Sequence, residues 1–237
     1  MLNRTLLEQT LAPFGVAVDD TVFARLDTYA ELLTETNRRF NLTAITEPDD
    51  MTVKHFADCL VLFGFAEFPQ NAKVIDVGTG AGFPGLVLKL YRPDLQLTFL
   101  DSTKKKLGFI ENVLSAVGLQ GETVHMRAEE AGKKAQYREQ FDFATARAVA
   151  DLRNLSEYCL PFVKKNGLFL SMKSAAAEEE IRAAGGALRV LGGKIEQDKQ
   201  FLLVENMPRR LLFVRKISQT PPKYPRPSAK IAKTPLK

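Results

Sequence analysis

The spacing of apolar residues changes near residue 70, and this change predicts two kinds of structure along the chain. Before it, apolar side chains recur every three or four positions, as at Val22 and Leu26, and Asp19 can cap the start of that helix. A second predicted helix covers residues 48–65. We therefore expect residues 1–68 to form an N-terminal helical segment that packs on the rest of the protein.

After residue 70, short apolar runs alternate with helical stretches, a pattern typical of a parallel sheet with helices on both faces. The predicted strands cover residues 73–77, 96–100, 122–126, 141–145 and 167–172. The predicted helices cover residues 104–118, a stretch from about 129, 151–163 and 175–191. The alternation favours an α/β fold.

Two further apolar runs, 199–204 and 211–216, flank a short turn and predict a hairpin that closes the sheet. The sheet then has seven strands, mostly parallel, with an antiparallel last strand. Prolines between residues 221 and 227 exclude a helix or a central strand there, so we expect this part to lie extended over the surface. The chain therefore divides into the helical segment, a core at 69–217 and a basic, proline-rich segment at 218–237.

A glycine-rich turn follows the first predicted strand. Residues 76–85 spell Asp-Val-Gly-Thr-Gly-Ala-Gly-Phe-Pro-Gly and lead into an apolar helical stretch. Because glycine has no Cβ, such a turn can adopt positive φ and lets its backbone touch a ligand. A cofactor site is the first interpretation, with Gly80 and Gly82 among its contacts. The alternative is a turn that only connects a strand to a helix.

Charge distinguishes between the candidate cofactors. Gly80, Gly82 and Gly85 fit the G-x-G-x-x-G pattern of turns that hold a dinucleotide pyrophosphate at a helix N-terminus. Asp76 precedes the turn, and its carboxylate would repel a pyrophosphate but favour the ammonium and sulfonium groups of S-adenosylmethionine. A P-loop is excluded because Leu86 stands where that motif requires lysine. We therefore expect S-adenosylmethionine, with Asp76 as a contact; a dinucleotide-dependent hydride-transfer enzyme is the alternative.

Two more acids stand where predicted strands end. Asp101 closes the second strand about 20 residues after Gly82, the separation at which an acid accepts hydrogen bonds from ribose hydroxyls. Glu129 follows the third strand, where it and the backbone of Ala128 could contact an adenine. Because the carboxyl ends of parallel strands meet at one edge of a sheet, these acids should surround the same ligand.

Charge is distributed unevenly along the chain. The net charge is +5, yet residues 206–237 hold nine lysines and arginines and no acid, which leaves 24 bases against 28 acids in residues 1–205. A cationic segment on an acidic body suits a polyanion, through phosphate contacts that weaken with salt. With RNA as that polyanion, Tyr224 or Phe83 would be available to stack on a base. The predicted phosphate contacts are Arg209, Arg210, Lys223 and Arg226. A solvated tail is the alternative.

Composition narrows the class of protein further. The chain has two histidines and two distant cysteines, Cys59 and Cys159, so we predict neither a disulfide framework nor a metal site. No apolar run approaches the roughly 18 residues that a membrane span needs. We expect a cytoplasmic, monomeric protein without a membrane or DNA partner.

Several longer motifs lie along nearly the whole chain. They are Asn-Leu-Thr-Ala-Ile at 41–45, His-Phe-Ala-Asp at 55–58, the turn at 76–85 with its Gly-Phe-Pro-Gly, Asp101-Ser102, Ala128-Glu129, Ala-Arg-Ala at 146–148, Met172-Lys173 and Tyr-Pro-Arg at 224–226. In these motifs the chain resembles the RsmG (GidB) methyltransferases, which transfer the methyl group of S-adenosylmethionine to N7 of a guanine in 16S ribosomal RNA.

The resemblance implies a Rossmann-like class I methyltransferase fold, with 16S ribosomal RNA or the small ribosomal subunit as the partner. It implies that Lys173 is one of the RNA-binding residues. The cofactor contacts that it implies are Gly78, Phe83, Ser102, Ala128, Glu129 and Arg147. Two positions depart from the family pattern: Cys59 stands where serine is usual and Lys106 where arginine is usual, which puts a bidentate contact at that second position in doubt.

Methylation at N7 of guanine is consistent with the predicted site, because N7 carries no proton and can attack the sulfonium methyl without a general base. The end of the fourth strand, Ala-Thr-Ala-Arg at 144–147, lacks the Asn/Asp-Pro-Pro-aromatic motif of enzymes that methylate exocyclic amines. Catalysis would rest on orientation, and Arg147 is the predicted catalytic residue. His55, beside Phe56, is expected to be a hydrogen-bonded structural residue.

Two other functions stay open at this point. A small-molecule methyltransferase would share the cofactor core, although it gives no reason for the acid-free basic segment. A non-catalytic RNA-binding or ribosome assembly factor would keep the glycine turn without transferring a methyl group.

Overall fold

The computed structural model describes residues 1–147, 151–174 and 177–236. The strands are β1 Lys73–Val77, β2 Gln96–Asp101, β3 Glu122–His125, β4 Phe141–Arg147, β5 Val163–Ser174, β6 Gly193–Leu202 and β7 Pro208–Lys216. The helices are α1 Arg4–Leu11, α2 Asp20–Asn37, α3 Pro48–Met51, α4 Asp58–Leu60, α5 Leu62–Phe65, α6 Gly85–Tyr91, α7 Lys104–Ala116, α8 Ala128–Ala131, α9 Leu152–Cys159, α10 Glu178–Leu191 and α11 Ser228–Lys233.

All seven strands form one sheet in the order β3-β2-β1-β4-β5-β7-β6. The first five strands in this order run parallel, and β7 is antiparallel to both of its neighbours. The predicted Rossmann-like sheet with an antiparallel last strand is therefore confirmed. The chain moves outward from β1 to β3 and then returns to place β4 on the other side of β1. This reversal opens a crevice at the carboxyl ends of β1 and β4, where ligands bind in such folds.

The central strands β1, β2 and β4 are buried on both faces, which explains their nearly continuous apolar sequences, whereas the edge strand β6 is mostly exposed. On one face, Val74 and Phe99 pack in a cluster that also contains the apolar residues of the N-terminal helices. On the other face, Ile75 and Ala144 pack with Leu155 and the helices that follow β4. Most predicted bounds agree with the structure to within three residues, but β5 and β6 begin earlier than expected, at Val163 and Gly193. Val163 already pairs with Phe141, and Gly193 already pairs with Lys216.

The N-terminal segment is helical as the apolar spacing predicts. Asp19 caps α2 by accepting a hydrogen bond from the Val22 backbone N–H at 2.7 Å. The predicted helix over residues 48–65 is present as α3, α4 and α5, with π-helical turns at Thr52–Ala57 between the first two. Leu26 and Tyr29 of α2 are fully buried against the core. The segment therefore contributes directly to the packing around the sheet.

The C-terminal segment differs from its prediction. Tyr224 is 7% exposed, so the expectation that residues 221–227 lie extended over the surface is wrong for this side chain. Farther along the chain, Ile231 is fully buried. The ring of Tyr224 packs in the same cluster as Leu155, and α11 contacts α9. Within the described part of the chain, no helix is both long enough and apolar enough to cross a membrane.

Candidate cofactor and substrate site

The turn after β1 has a backbone that requires glycine. Gly78, Gly80 and Gly82 have φ values of +71°, +60° and +108°, in the left-handed region. Gly78 is exposed and Gly80 partly exposed, so their backbone can meet a ligand. Gly82 is buried, and a Cβ there would lie 2.8 Å from Cβ of Leu86. Gly82, predicted as a cofactor contact, therefore serves the packing of the turn against the helix.

Asp76 stabilises this turn through hydrogen bonds to its buried side. Its Oδ2 accepts hydrogen bonds from Thr79 Oγ1 at 2.6 Å and from the Gly85 N–H at 3.0 Å, and its Oδ1 accepts one from Thr145 Oγ1 at 3.2 Å. Burial raises the pKa of Asp76 to about 6, against the effect of these donors. The side chain has no exposed surface. The predicted direct contact between Asp76 and the cofactor is therefore corrected to a structural role.

Asp101 links the end of β2 to the turn. Its Oδ2 accepts a hydrogen bond from the Gly80 N–H at 3.0 Å, and its Oδ1 accepts one from the Thr103 N–H at 2.8 Å. A carboxylate oxygen can accept two hydrogen bonds, so both oxygens keep capacity for ribose hydroxyls. Ser102 beside it is exposed. These hydrogen bonds fix the Asp101 carboxylate, the predicted partner of the ribose, at the rim of the turn.

The third predicted acid lies along the same edge of the sheet. Glu129 is in the first turn of α8, directly after β3, and is 9% exposed. Asp101 pairs with His125 at the end of β3, so β2 and β3 end side by side. Ala128 is half-buried next to Glu129. The structure thus brings the predicted ribose and adenine contacts to neighbouring strand ends.

Arg147, the last residue of β4, is surrounded by residues of the N-terminal segment. Its Nη1 donates a hydrogen bond to the Lys54 carbonyl at 2.9 Å and lies 3.3 Å from Asp58 Oδ2. Its Nη2 lies 3.0 Å from His55 Nδ1. The guanidinium carbon is 4.9 Å from the centre of the Phe83 ring, in cation–π contact with the turn. Arg147 therefore joins three parts of the chain at the strand end.

His55 is neutral in this arrangement. Arginine only donates hydrogen bonds, so Nδ1 of His55 must accept the one from Arg147, and Nε2 carries the proton toward Thr43 Oγ1 at 2.7 Å. Burial, together with the charge of Arg147, lowers the pKa of His55 to about 4. Its ring stacks on Phe83 with the ring centres 4.4 Å apart. Both ring nitrogens are engaged, which agrees with the predicted structural role.

A cleft of about 760 Å³ opens beside Arg147. Five cationic side chains and three carboxylates line it, so its surface suits an anionic ligand. The cations are Lys54, Arg147, Lys173, Arg209 and Arg210, and the carboxylates are Asp58, Asp151 and Glu180. Asp58 binds two of the arginines, because its Oδ1 also accepts a hydrogen bond from Arg209 Nε at 2.8 Å. Sequence reasoning missed this role of Asp58, although the shared helix of His55 and Asp58 was a signal.

The structure separates the predicted RNA-binding residues into two groups. Lys173, Arg209 and Arg210 line the cleft, where Lys173 pairs with Glu180 and Arg210 pairs with Asp198. The other three lie in the C-terminal segment.

In the C-terminal segment, one of the two predicted phosphate contacts, Arg226, is used inside the protein. Arg226 donates three hydrogen bonds through Nε and Nη2 to Glu157, whose side chain is 1% exposed. Tyr224 is buried, so its predicted stacking on an RNA base is corrected to a packing role. Of the three predicted contacts in this segment, Lys223 is the exposed one.

The polar groups around the turn fit S-adenosylmethionine. Exposed backbone at Gly78 and Gly80 borders the carboxylates of Asp101 and Glu129, which suits hydroxyl, amine and sulfonium groups. Cys59 and Cys159 are buried free thiols. Among the described residues, no three side chains of His, Cys, Asp or Glu are placed to hold a metal ion.

Comparison with known proteins agrees with this geometry. The family described as "GidB: rRNA small subunit methyltransferase G" matches residues 23–196. A protein of Alkaliphilus metalliredigens named ribosomal RNA small subunit methyltransferase G is 44% identical, with 100% of both chains covered. One of the same name from Halalkalibacterium halodurans is 43% identical and covers 99% of this chain and 100% of its own.

Solved structures share the fold at lower identity. TrmN from Thermus thermophilus superposes with a TM-score of 0.52 at 14% identity, covering 70% of this chain and 53% of its own. A chain of a fibrillarin/Nop5p complex gives a TM-score of 0.51 at 14% identity, covering 68% of this chain and 80% of its own. The chain belongs to the GidB family of rRNA small subunit methyltransferases G, and it is accordingly an enzyme that uses S-adenosylmethionine as its methyl donor.

Proposed function

We propose that this enzyme transfers a methyl group to N7 of a guanine in 16S ribosomal RNA, in the cytoplasm and as a monomer, without a DNA or membrane partner. The observation that carries the proposal is the placement of Arg147 between the cofactor turn, through Phe83, and a cleft with cationic walls. A cofactor site and an anion-attracting site thus meet at one side chain. The relatives of this chain are named for methylation of small-subunit rRNA, which supports the same substrate.

The cofactor would be held at the carboxyl ends of β1 to β4. Backbone groups of Gly78 and Gly80 would contact its methionine part. Asp101 and Ser102 would accept hydrogen bonds from its ribose hydroxyls. Ala128 and Glu129 would lie beside its adenine. Bound there, S-adenosylmethionine supplies an electrophilic methyl group on a positively charged sulfur. The protein's own task is then to present the nucleophile in line with that methyl group.

The residues around Arg147 suit a reaction without a general base. Guanine N7 attacks with an in-plane lone pair, so the N7–C bond forms as the C–S bond breaks and no proton leaves. His55 has both ring nitrogens in hydrogen bonds and is not free to take one. Arg147 would donate to the guanine O6, which leaves N7 open and fixes the plane of the base. Rate enhancement would come mainly from proximity and orientation.

The guanine must enter the cleft as an exposed base. The deep major groove of A-form RNA hides N7 from protein side chains, so a loop or a flipped nucleotide is required. Lys173 and Arg209 would meet the flanking phosphates, exchanging their present carboxylate partners Glu180 and Asp58 for RNA. Arg210 and Lys223 are further candidate contacts.

The test is to incubate the protein with methyl-labelled S-adenosylmethionine and either 16S rRNA, small ribosomal subunits or a mixture of metabolites. We expect label in RNA, at a guanine whose N7 is methylated, identified by nuclease mapping and mass spectrometry. Transfer only to metabolites would establish the small-molecule methyltransferase. RNA binding without transfer would establish the assembly factor, and binding of NADH would revive the dinucleotide alternative.

A further inference from the structure

Arg147 donates most of its hydrogen bonds to residues that lie outside the sheet. Its partners Lys54, His55 and Asp58 lie in one helical stretch of the N-terminal segment, where the π-helical turns meet α4. The His55 ring is held in turn by Thr43, whose Oγ1 lies 2.7 Å from Nε2. The direction of the guanidinium is therefore determined by a part of the chain that contributes no strand to the cofactor fold.

The described contacts leave part of Arg147 for a ligand. A guanidinium has five N–H donors, and the Lys54 carbonyl, Asp58 and His55 engage three of them. The Phe83 ring covers one face of the group. Among the contacts of the described residues, the Nε–H and one Nη2–H have no partner, and Arg147 lines the cleft. Such a pair of donors suits a carbonyl oxygen of a base, provided that the plane of the guanidinium stays fixed.

Asp58 has an unusual position between two arginines. Its side chain is 8% exposed, with Arg147 3.3 Å from one oxygen and Arg209 2.8 Å from the other. A carboxylate so buried is costly unless it is paired, and here both oxygens face a charged donor. Without its negative charge, two guanidinium groups would face each other across the cleft wall and repel. Arg147 would then lose the contact that sets its tilt.

We propose that Asp58 and His55 are positioning residues that hold the Arg147 guanidinium in the orientation needed to align the target guanine. The inference rests on the proposed function, because it assigns these residues to the same site and reaction. Asp58 acts by charge, since it balances Arg147 against Arg209. His55 acts as a neutral acceptor that is locked by Thr43 and by its stack on Phe83. Methyl transfer should depend on both residues, whereas cofactor affinity should not.

The first experiment uses Asp58→Asn, which keeps the shape of the side chain and removes its charge. We expect the single-turnover rate at saturating cofactor and RNA to fall by up to about 100-fold, the loss that a displacement of about 1 Å can cause. Calorimetry should show a cofactor Kd within about twofold of the wild type. Asp94→Asn is the matched control, because Asp94 forms a similar pair with Arg92 before β2, away from the cleft. Its rate should be unchanged.

A double-mutant cycle separates positioning from general stability. If Asp58 acts through Arg147, adding Asp58→Asn to an Arg147→Lys protein should change the rate by less than about threefold. If Asp58 had a purely structural role, the double variant would show the product of the two single-variant rate losses. Its unfolding temperature would also fall. Should Asp58→Asn not fold, Asp58→Glu takes its place in the same cycle.

His55 is tested by a pair of substitutions. His55→Gln keeps an acceptor for Arg147, whereas His55→Phe keeps the aromatic stack on Phe83 and removes the acceptor. We expect His55→Gln to retain most of the rate and His55→Phe to lose about tenfold, because Arg147 is then less well oriented. Equal rates for His55→Phe and the wild type would overturn the role of His55, and a wild-type rate for Asp58→Asn would overturn that of Asp58. Absence of N7-methylguanine with the wild-type enzyme would instead disprove the proposed function.

Discussion

The cofactor turn and the C-terminal segment carry the two most conspicuous sequence patterns of this protein, and the structure treats them differently. The glycines at 78, 80 and 82 occupy left-handed backbone, as their spacing predicts. The sequence predicts that the cations of the C-terminal segment face RNA, yet Arg226 forms an ion pair with the buried Glu157. A backbone requirement is local and visible in the sequence, whereas the partner of a charge lies far along the chain and is not.

The largest expected effect concerns the turn. Gly80→Val would place a β-branched side chain at φ +60°, where such residues are strained, on the face where the ligand approaches. We expect cofactor affinity to fall by more than about 1,000-fold, or about 4 kcal/mol. Calorimetry with S-adenosylhomocysteine measures this. Gly108→Ala, where a Cβ meets nothing within 4 Å, is the control and should bind normally; unchanged affinity in Gly80→Val would refute the cofactor assignment.

The next effect tests the C-terminal side of the comparison. Arg226→Ala leaves the Glu157 carboxylate buried without its cation, and we expect a loss of about 3 kcal/mol in the free energy of unfolding. Arg215→Ala breaks a more exposed pair with Glu196 and should cost less than about 1 kcal/mol. Urea unfolding compares the two proteins. A stable Arg226→Ala protein with weakened RNA binding would return this arginine to the RNA surface.

Much of the fold could be predicted because its signals are periodic and local. The β1 strand, the glycine turn and the cap at Asp19 each depend on a few adjacent residues. The function of Asp76 could not be predicted in the same way. Its sequence position suggests a ligand contact, but Thr79, Gly85 and Thr145 surround it only after folding.

The cleft shows the same limit. Asp58 and Arg209 are separated by most of the chain, and no spacing rule relates them. Arg147 was identified from its motif, but its three partners in the N-terminal segment depend on how that segment packs. Long-range pairing of charges, rather than the residue types themselves, is what the sequence leaves undetermined.

A smaller effect concerns the pH dependence of stability and involves His55, whose ring stacks on Phe83 of the glycine turn. Its pKa is lowered to about 4 by burial and by Arg147, so the unfolded chain binds a proton first as the pH falls below 6.5. The stability that neutral His55 contributes is present above pH 6.5 and is lost as the pH falls toward 4. The wild type and His55→Gln differ in their free energy of unfolding, and this difference should shrink by about 2 kcal/mol between pH 6.5 and about pH 5. The slope is about 1.4 kcal/mol per pH unit.

Unfolding curves of both proteins at several pH values measure this difference. The raised pKa of Asp76 has the opposite sign, because protonated Asp76 stabilises the fold at low pH and this contribution is lost as the pH rises through about 6. Asp76 is present in both proteins, so its contribution cancels in the difference. A difference independent of pH would show that His55 is not held neutral.

The smallest effect concerns Lys223, the exposed cation among the predicted contacts of the C-terminal segment. Lys223→Ala should leave the free energy of unfolding within about 0.5 kcal/mol of the wild type, because the side chain is solvated. If Lys223 meets one phosphate, the slope of log K against log salt for RNA should fall by about 1. Lys165→Ala, an exposed lysine near the opposite end of β5 from the cleft, should keep the full slope. An identical slope in both variants would mean that Lys223 does not contact an RNA phosphate.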